Sequence, residues 1–371
     1  MEPRMDLRIS YFPSKFIQGN RAVLELPSFI DLFGGRAFLL VTPSMESMVK
    51  ENGFDRYDYE TFKSPCCWDA IGGVIGRIKD KDYSVVVGIG GGKIVDTAKA
   101  VADKLNLHVI LVPTVAASSA AFSACSVIYT PENVEESVYY EKHSPDVLLL
   151  DNSLITGASC RHFVAGMGDA LAVYFEGRGC VNTGAENSLH GRQTFCALAM
   201  CDYCLETLLD YGYDAKCAYE NKAVTPAVER IIELNLLCAG IAFEGAGLAA
   251  AHAIHNGLTI VPEVRENYLH GEIVAFGVLT ELHLTGADPD EINEIYTFCE
   301  DVGLPTTFAG IGLDIDFDGR GPDAASMKLL RKIAEVTNDD PYLHHENPNI
   351  NADDIRMALI AADAMGRERL T

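Results

Sequence analysis

An α/β domain followed by an all-helical domain is predicted for this chain on three observations. The chain has 371 residues, and a single hydrophobic core rarely grows past about 250–300 residues, so two domains are expected. Up to Leu150, short apolar β-branched runs alternate with stretches of helical spacing. Beyond Asp151 the strand-like runs become rare and long helical stretches take over.

The elements follow in order. Ala37–Thr42 is an apolar run ended by Pro43, Ser44–Asn52 reads as a helix, and Tyr57–Phe62 as a second strand. Asp69–Lys79 has helical spacing, and Tyr83–Ile89 is a β-branched run closed by Gly90, Gly91 and Gly92. Asp96–Lys104 reads as a helix, and His108–Pro113 and Asp146–Leu150 as buried strands. Near-continuous apolar strands separated by helices argue for a parallel sheet covered on both faces. Val127–Tyr140 reads as a β-hairpin with its turn at Thr130, Pro131, Glu132 and Asn133. Helices are then expected over Arg161–Glu176, Ser188–Tyr211, Thr225–Phe243, Leu248–Gly257, Gly271–Leu284, Asp290–Val302, Ala324–Val336 and Asp353–Arg367. The boundary falls near 152–160, giving an α/β domain over 1–155 and a helical domain over 156–371.

The chain carries 29 Lys+Arg against 53 Asp+Glu, a formal net charge of −24. Such a surface repels phosphate backbones and anionic lipid, so neither nucleic acid nor a membrane is expected as a partner. A phosphate-bearing ligand must be held locally, by backbone N–H groups or a placed cation. No stretch approaches the ~20 apolar residues that span a bilayer, and Met1–Arg8 has no apolar signal core. Eleven cysteines, an odd number placed mostly in apolar helical stretches, fit free thiols in a reducing cytoplasm. The one CxxC, Cys201–Cys204, lies inside a helical stretch and reads as two buried helix cysteines.

Two constellations carry chemistry. The strand ending at Ile89 runs into Gly90–Gly91–Gly92–Lys93 and then a helix. Glycines let a ligand approach the backbone, a helix N-terminus offers unpaired N–H groups, and Lys93 adds a cation. Asp96 suits a first-turn cap. The loop is neither GxGxxG nor a Walker motif; a tight structural turn remains its alternative reading. In the helical half, Asp169 stands in the apolar run Ala165–Ala172, His252 and His255 lie three apart on one face of an apolar helix, and His270 precedes another helix. An acid and histidines in apolar helices suit a borderline divalent ion with an open coordination position; satisfied core residues are the alternative.

The segments GIGGGKIVDTAKA (88–100), VPTVA (112–116), SVIY (126–129), AGMGDALA (165–172), GLAAAHAIHNGLT (247–259) and LHGEIVAFG (269–277) closely resemble the glycerol dehydrogenases of the metal-dependent (iron-containing) alcohol dehydrogenase superfamily. The resemblance implies a Rossmann-like N-terminal domain and an all-α C-terminal domain, the dehydroquinate synthase-like architecture. It also implies NAD (with NADP permitted but not demanded by the departure at Thr42, where no arginine is adjacent), one divalent metal (zinc foremost, with iron or another ion as alternatives), and a homo-oligomer. It places the metal ligands on Asp169, His252 and His270, and a four-ligand relative's histidine falls on Val173. The pyrophosphate falls on Gly91, Gly92 and Lys93, with Asp96 closing the loop. Thr114, Ala117, Ser123, Cys125 and Tyr129 fall where the family lines the rest of the cofactor, and His255 is a candidate proton relay or substrate contact. Two positions depart from the pattern. Ser119 stands where the family's polyol-contacting aspartate falls, and Thr42 where its NAD-selecting acid falls. An acid there binds ribose hydroxyls and repels a 2′-phosphate; threonine does neither.

The expected activity is therefore interconversion of a small secondary alcohol and its ketone. Because Ser119 removes a carboxylate, a 2-oxo acid reductase of the same superfamily is the alternative. A dehydroquinate synthase-like lyase is more distant, since segments 161–176 and 245–285 carry few basic residues. A binding protein without turnover is argued against by the intact Asp169, His252 and His270. His190, His344 and His345 are expected at the surface.

Overall fold

The computed structural model describes residues 4–131, 134–317 and 321–371, and among these ten strands and a larger set of helices are found. The strands are β1 (Arg4–Arg8), β2 (Lys15–Gly19), β3 (Ala37–Val41), β4 (Asp58–Thr61), β5 (Val85–Gly90), β6 (His108–Pro113), β7 (Cys125–Tyr129), β8 (Glu135–Tyr140), β9 (Val147–Asp151) and β10 (Gly191–Arg192). Six of them form one sheet in the order β2-β9-β6-β5-β3-β4, and every pairing in it is parallel. Val85, Val87, Ile89, Ile110, Val112, Val147 and Leu149 are fully buried on one face of the sheet, and Val86, Leu111, Leu148 and Leu150 on the other. That burial on both faces is why these strands read as continuous apolar runs. The edge strand β2 is short and only half-buried, so it carries no such run.

β7 and β8 pair antiparallel as a separate hairpin; Glu132 and Asn133 of the expected turn lie outside the described residues. The helix expected over Asp96–Lys104 starts four residues earlier, at Gly92. It can lie flush on β5 because that strand has no side chain where they meet. A Cβ on Gly90 would stand 2.5 Å from Ile94 Cγ1, and one on Gly88 would stand 2.8 Å from Ala98 Cβ.

Two compact units emerge: residues 11–160 with 218–240, and residues 1–10 with 161–217 and 241–371. The expected division at 155/156 differs from this in two places, each with a physical cause. The N-terminal strand β1 pairs with β10, and Asn187 Nδ2 donates to the Ile9 carbonyl at 2.8 Å, which ties residues 1–10 to the helices. Segment 218–240 is tied to the sheet unit: Tyr219 donates to the Ile155 carbonyl, Gln18 Nε2 to the Glu229 carbonyl at 2.8 Å, and Asn235 Nδ2 to the Ala116 carbonyl at 2.9 Å. The single helix expected over Thr225–Phe243 is helix Pro226–Glu233, a π-turn at Leu234–Cys238 and helix Ala239–Ala246.

All eleven cysteines are free thiols, and Cys201 and Cys204 are buried on helix Phe195–Glu220. Among the described residues no single helix is long and apolar enough to cross a membrane.

Candidate active site

Three helices bring Asp169, His252 and His270 together, and glycines set how closely they cross. Helix Cys160–Thr183 carries Asp169, helix Ala250–Leu258 carries His252, and His270 opens helix His270–Thr285. A Cβ on Gly168 would stand 2.2 Å from the Gly271 carbonyl oxygen, and one on Gly271 would stand 1.8 Å from that of Ala165. The residues beside that crossing are Asp169 and His270. Gly277 makes the same kind of contact with the Ala251 carbonyl, where a Cβ would stand at 2.5 Å; His252 is the next residue. Bare backbone at the crossings is the local reason these side chains converge.

One ligand atom from each of the three residues lies within 4.8 Å of the others. Asp169 Oδ1 is 3.2 Å from His270 Nε2 and 3.7 Å from His252 Nε2. The far nitrogens of both rings are engaged. His252 Nδ1 lies 2.7 Å from Glu176 Oε2, and Glu176 Oε1 accepts from the backbone N–H of His252 at 2.8 Å and of Ala249 at 2.9 Å. Glu176 is fully buried, two turns beyond Asp169 on the same helix. His270 Nδ1 lies 3.0 Å from His255 Nε2, and His255 Nδ1 is 2.9 Å from Asn256 Oδ1. Asn256 Nδ2 in turn donates to Asp340 at 2.8 Å.

The electrostatics agree with the geometry. Burial works to raise the Asp169 pKa, but hydrogen bonds from His252 and His270 outweigh it and hold the carboxyl far below its usual range. Burial opposes charge on His252, but Glu176 and Asp169 outweigh it and lift its pKa to about 10. Burial first, and the neighbouring His270 second, keep His255 neutral. One carboxylate and two imidazoles whose Nε2 atoms converge on it are a donor set that fits a divalent ion such as zinc, which would take the place of the ring protons there, with a coordination position to spare. His255 is not among the converging donors. It stands behind His270 as the partner of its Nδ1.

In the sheet unit, Gly91, Gly92, Lys93 and Thr42 line a cavity of ≈ 350 Å³ together with Pro43, Phe62, Lys63, Ser64 and Ile94. A Cβ on Gly92 would meet nothing within 4 Å, and one on Gly91 only Val115 Cγ2 at 3.4 Å. The open space above this helix N-terminus fits a pyrophosphate held by backbone N–H groups.

Asp96 is not part of that surface. It is buried in the second turn of the helix, paired with Lys99 at 3.0 Å, and accepts from Val127 N at 3.3 Å. Lys99 also donates to the carbonyl of Ala120 at 2.8 Å and that of Cys125, and reaches Ser123 Oγ at 3.2 Å. Burial opposes the Lys99 charge, but Asp96 and Glu141 more than offset it. Ser123 is 1% exposed and its hydroxyl bonds inward to this network. Ser123 and the Cys125 carbonyl thus support the loop. Thr114 is buried at the end of β6, its N–H donating to the Gly90 carbonyl at 3.0 Å. Ala117 is half-buried. Tyr129 ends β7, its N–H donating to the Cys66 carbonyl at 2.8 Å. None of these five lines the cavity. Ser119 is buried in the short turn Ser119–Ala121 that Lys99 anchors. Of the spare histidines, His344 is exposed, whereas His190 and His345 are half-buried, beside Glu186 and the Leu248 carbonyl.

Sequence reasoning missed Glu176, Lys63, Ser64 and Asn235. A signal existed only for Glu176, an acid on the Asp169 face of an apolar helix.

A parallel-sheet unit with a glycine loop and an Asp–His–His donor set are the parts of a metal-dependent dehydrogenase. Residues 13–152 match the family model of the iron-containing alcohol dehydrogenases. A glycerol dehydrogenase of Thermotoga maritima is 43% identical over 96% of this chain and 97% of its own length. One from Citrobacter freundii is 36% identical over 98% and 99%. The solved structure of a probable glycerol dehydrogenase from Sinorhizobium meliloti superposes with a TM-score of 0.89, at 34% identity over 98% of this chain and 100% of that one. The chain belongs to the iron-containing alcohol dehydrogenase family, as a glycerol dehydrogenase-like member. It is an alcohol/polyol dehydrogenase that works with a nicotinamide dinucleotide and a divalent metal.

Proposed function

We propose that the chain oxidises a small vicinal polyol of glycerol's class at its secondary carbon, with one zinc ion held by Asp169, His252 and His270. The observation that carries this reading is the convergence of those three donors while Glu176 and His255 occupy the far side of each ring. When bound, the ion supplies Lewis acidity toward the alcohol oxygen and the dinucleotide supplies the hydride acceptor. Three protein ligands leave one position for the substrate oxygen. Glu176 holds Nδ1–H of His252, which leaves Nε2 as the atom that would give up its proton to an ion beside Asp169; His255 orients His270 in the same way. Gly91, Gly92 and Lys93 bind the pyrophosphate and thereby position the cofactor.

The glycerol dehydrogenase relatives favour a polyol over a 2-oxo acid, and over the lyase reading. Ser119 tunes the preference rather than reversing the class, since it lacks the charge that would grip a polyol hydroxyl. A charged hydrogen bond is worth ~1.5–3 kcal/mol, or about ten- to a hundredfold. A panel of glycerol, 1,2-propanediol, dihydroxyacetone, 2-oxobutanoate and 2-oxoglutarate tests the assignment. Turnover of the polyols is expected, and Ser119→Asp should raise kcat/KM for glycerol. Turnover of the oxo acids with the polyols inert would overturn the reading.

A homo-oligomer in the cytoplasm belongs to the same proposal. The exposed apolar side chains Leu7, Phe195 and Tyr213 on the helical unit supply contact surface. A monomer by light scattering at micromolar concentration would contradict the oligomer, and recovery of the protein outside the cytoplasm on cell fractionation would contradict the location.

A further inference from the structure

We propose that Lys63 makes this enzyme an NADP(H) enzyme, by holding the 2′-phosphate of the adenosine ribose in the ≈ 350 Å³ cavity beside the glycine loop. The inference rests on the dinucleotide reading above and names which dinucleotide it is.

Position comes first. When a pyrophosphate rests on a glycine loop at the end of one strand, the adenosine ribose reaches toward the end of the neighbouring strand, and the residue there decides between a hydroxyl and a phosphate. The loop here ends β5, which lies between β6 and β3; on the β3 side β4 follows, and the cavity beside the loop opens on that side. Thr42 N donates to the Ile89 carbonyl at 2.9 Å and Phe62 N to the Val41 carbonyl at 2.9 Å. These two bonds keep the three strand ends level. Residues 42, 62–64 and 91–94 therefore face one cavity, although they are far apart in the chain.

Chemistry comes second. The nine lining residues include two lysines, Lys63 and Lys93, and two hydroxyls, Thr42 and Ser64, and no carboxylate. In a chain of net charge −24 that is a local inversion of sign. A site that selects NAD places a carboxylate on the ribose hydroxyls, and a carboxylate would repel a phosphate monoester. Lys93 stands in the first turn of the helix that follows the loop and serves the pyrophosphate that both dinucleotides share. Lys63 follows a different strand, is exposed, and forms no ion pair among the described residues, whereas Lys50 and Lys99 are paired with Glu46 and Asp96. Its charge is thus available for a second phosphate, with Thr42 and Ser64 as hydrogen-bond donors beside it.

The test is calorimetric titration of NADP⁺ and NAD⁺ into the parent protein and into Lys63→Ala and Lys63→Arg. Lys63 is a surface residue, so neither change threatens the fold. The parent is expected to bind NADP⁺ at least about tenfold more tightly than NAD⁺, and Lys63→Ala should lower that ratio by about ten- to a hundredfold. Lys63→Arg should keep the ratio high, because it keeps the charge. Raising salt should narrow the parent's ratio and leave that of Lys63→Ala flat. A parent that prefers NAD⁺, or a ratio unmoved by Lys63→Ala, overturns the proposal and leaves the dinucleotide reading standing. Binding of neither dinucleotide by folded parent protein overturns that reading and the proposal with it.

Discussion

The carboxylate of Glu176 lies 2.7 Å from Nδ1 of His252 and has no exposure to solvent. As an acceptor it requires a proton on Nδ1 and so leaves the Nε2 lone pair for an ion. In Glu176→Gln the amide can donate to Nδ1 instead, which favours the tautomer with its hydrogen on Nε2. The metal affinity should fall by about 10–100-fold, measured by competition with a chelator of known zinc affinity, whereas Glu176→Asp should recover part of the loss. Unchanged zinc affinity in Glu176→Gln would show that the contact serves packing alone.

Gly92 can be tested without disturbing the fold. A Cβ there meets no atom, so Gly92→Val should fold with the parent's melting temperature while its isopropyl group occupies the pyrophosphate's approach. Dinucleotide affinity is expected to drop by at least about tenfold, read by calorimetry. Gly90→Val is the contrasting variant: its side chain would collide with Ile94 and should lower stability. Full dinucleotide binding by Gly92→Val would make the loop a structural turn and no more.

Much of this was legible in the sequence, and the misses have a common cause. Val85–Gly90 and Val147–Asp151 are buried on both faces, so apolar continuity announces them; β2, a half-buried edge strand, has no such signature. Asp169, His252 and His270 were readable because polar residues stand out in apolar helices. Asp96 was misplaced because three glycines read as loop, although the helix already begins at Gly92. Lys99, three residues on, was the local hint that Asp96 turns inward. Lys63 shares a cavity with Thr42, and Asn235 meets the Ala116 carbonyl, only in the folded chain, and spacing along the chain does not record those.

The network around Lys99 has a pH dependence. Burial raises the Glu141 pKa to about 7 from 4.5, with Lys99 opposing the shift. The folded protein therefore holds that proton more tightly than the unfolded chain. Glu141 favours folding below pH 4.5 and loses this contribution as the pH climbs through 7. Glu141→Gln should thus gain stability relative to the parent between pH 5 and pH 8, by on the order of 1–3 kcal/mol. Urea unfolding of both proteins at the two pH values measures the difference, and an equal difference at both would refute it.

Alcohol oxidation is expected to depend on a metal held by Asp169, His252 and His270. The most direct measurement is the metal content of the parent and of His252→Ala, each stripped with chelator, reloaded with zinc and desalted before elemental analysis. The parent should hold about one ion per chain and regain alcohol oxidation on reloading, and His252→Ala should retain less than about a tenth of that zinc at the same free concentration. Equal zinc in the two proteins, or full alcohol oxidation by the stripped parent, would contradict the account.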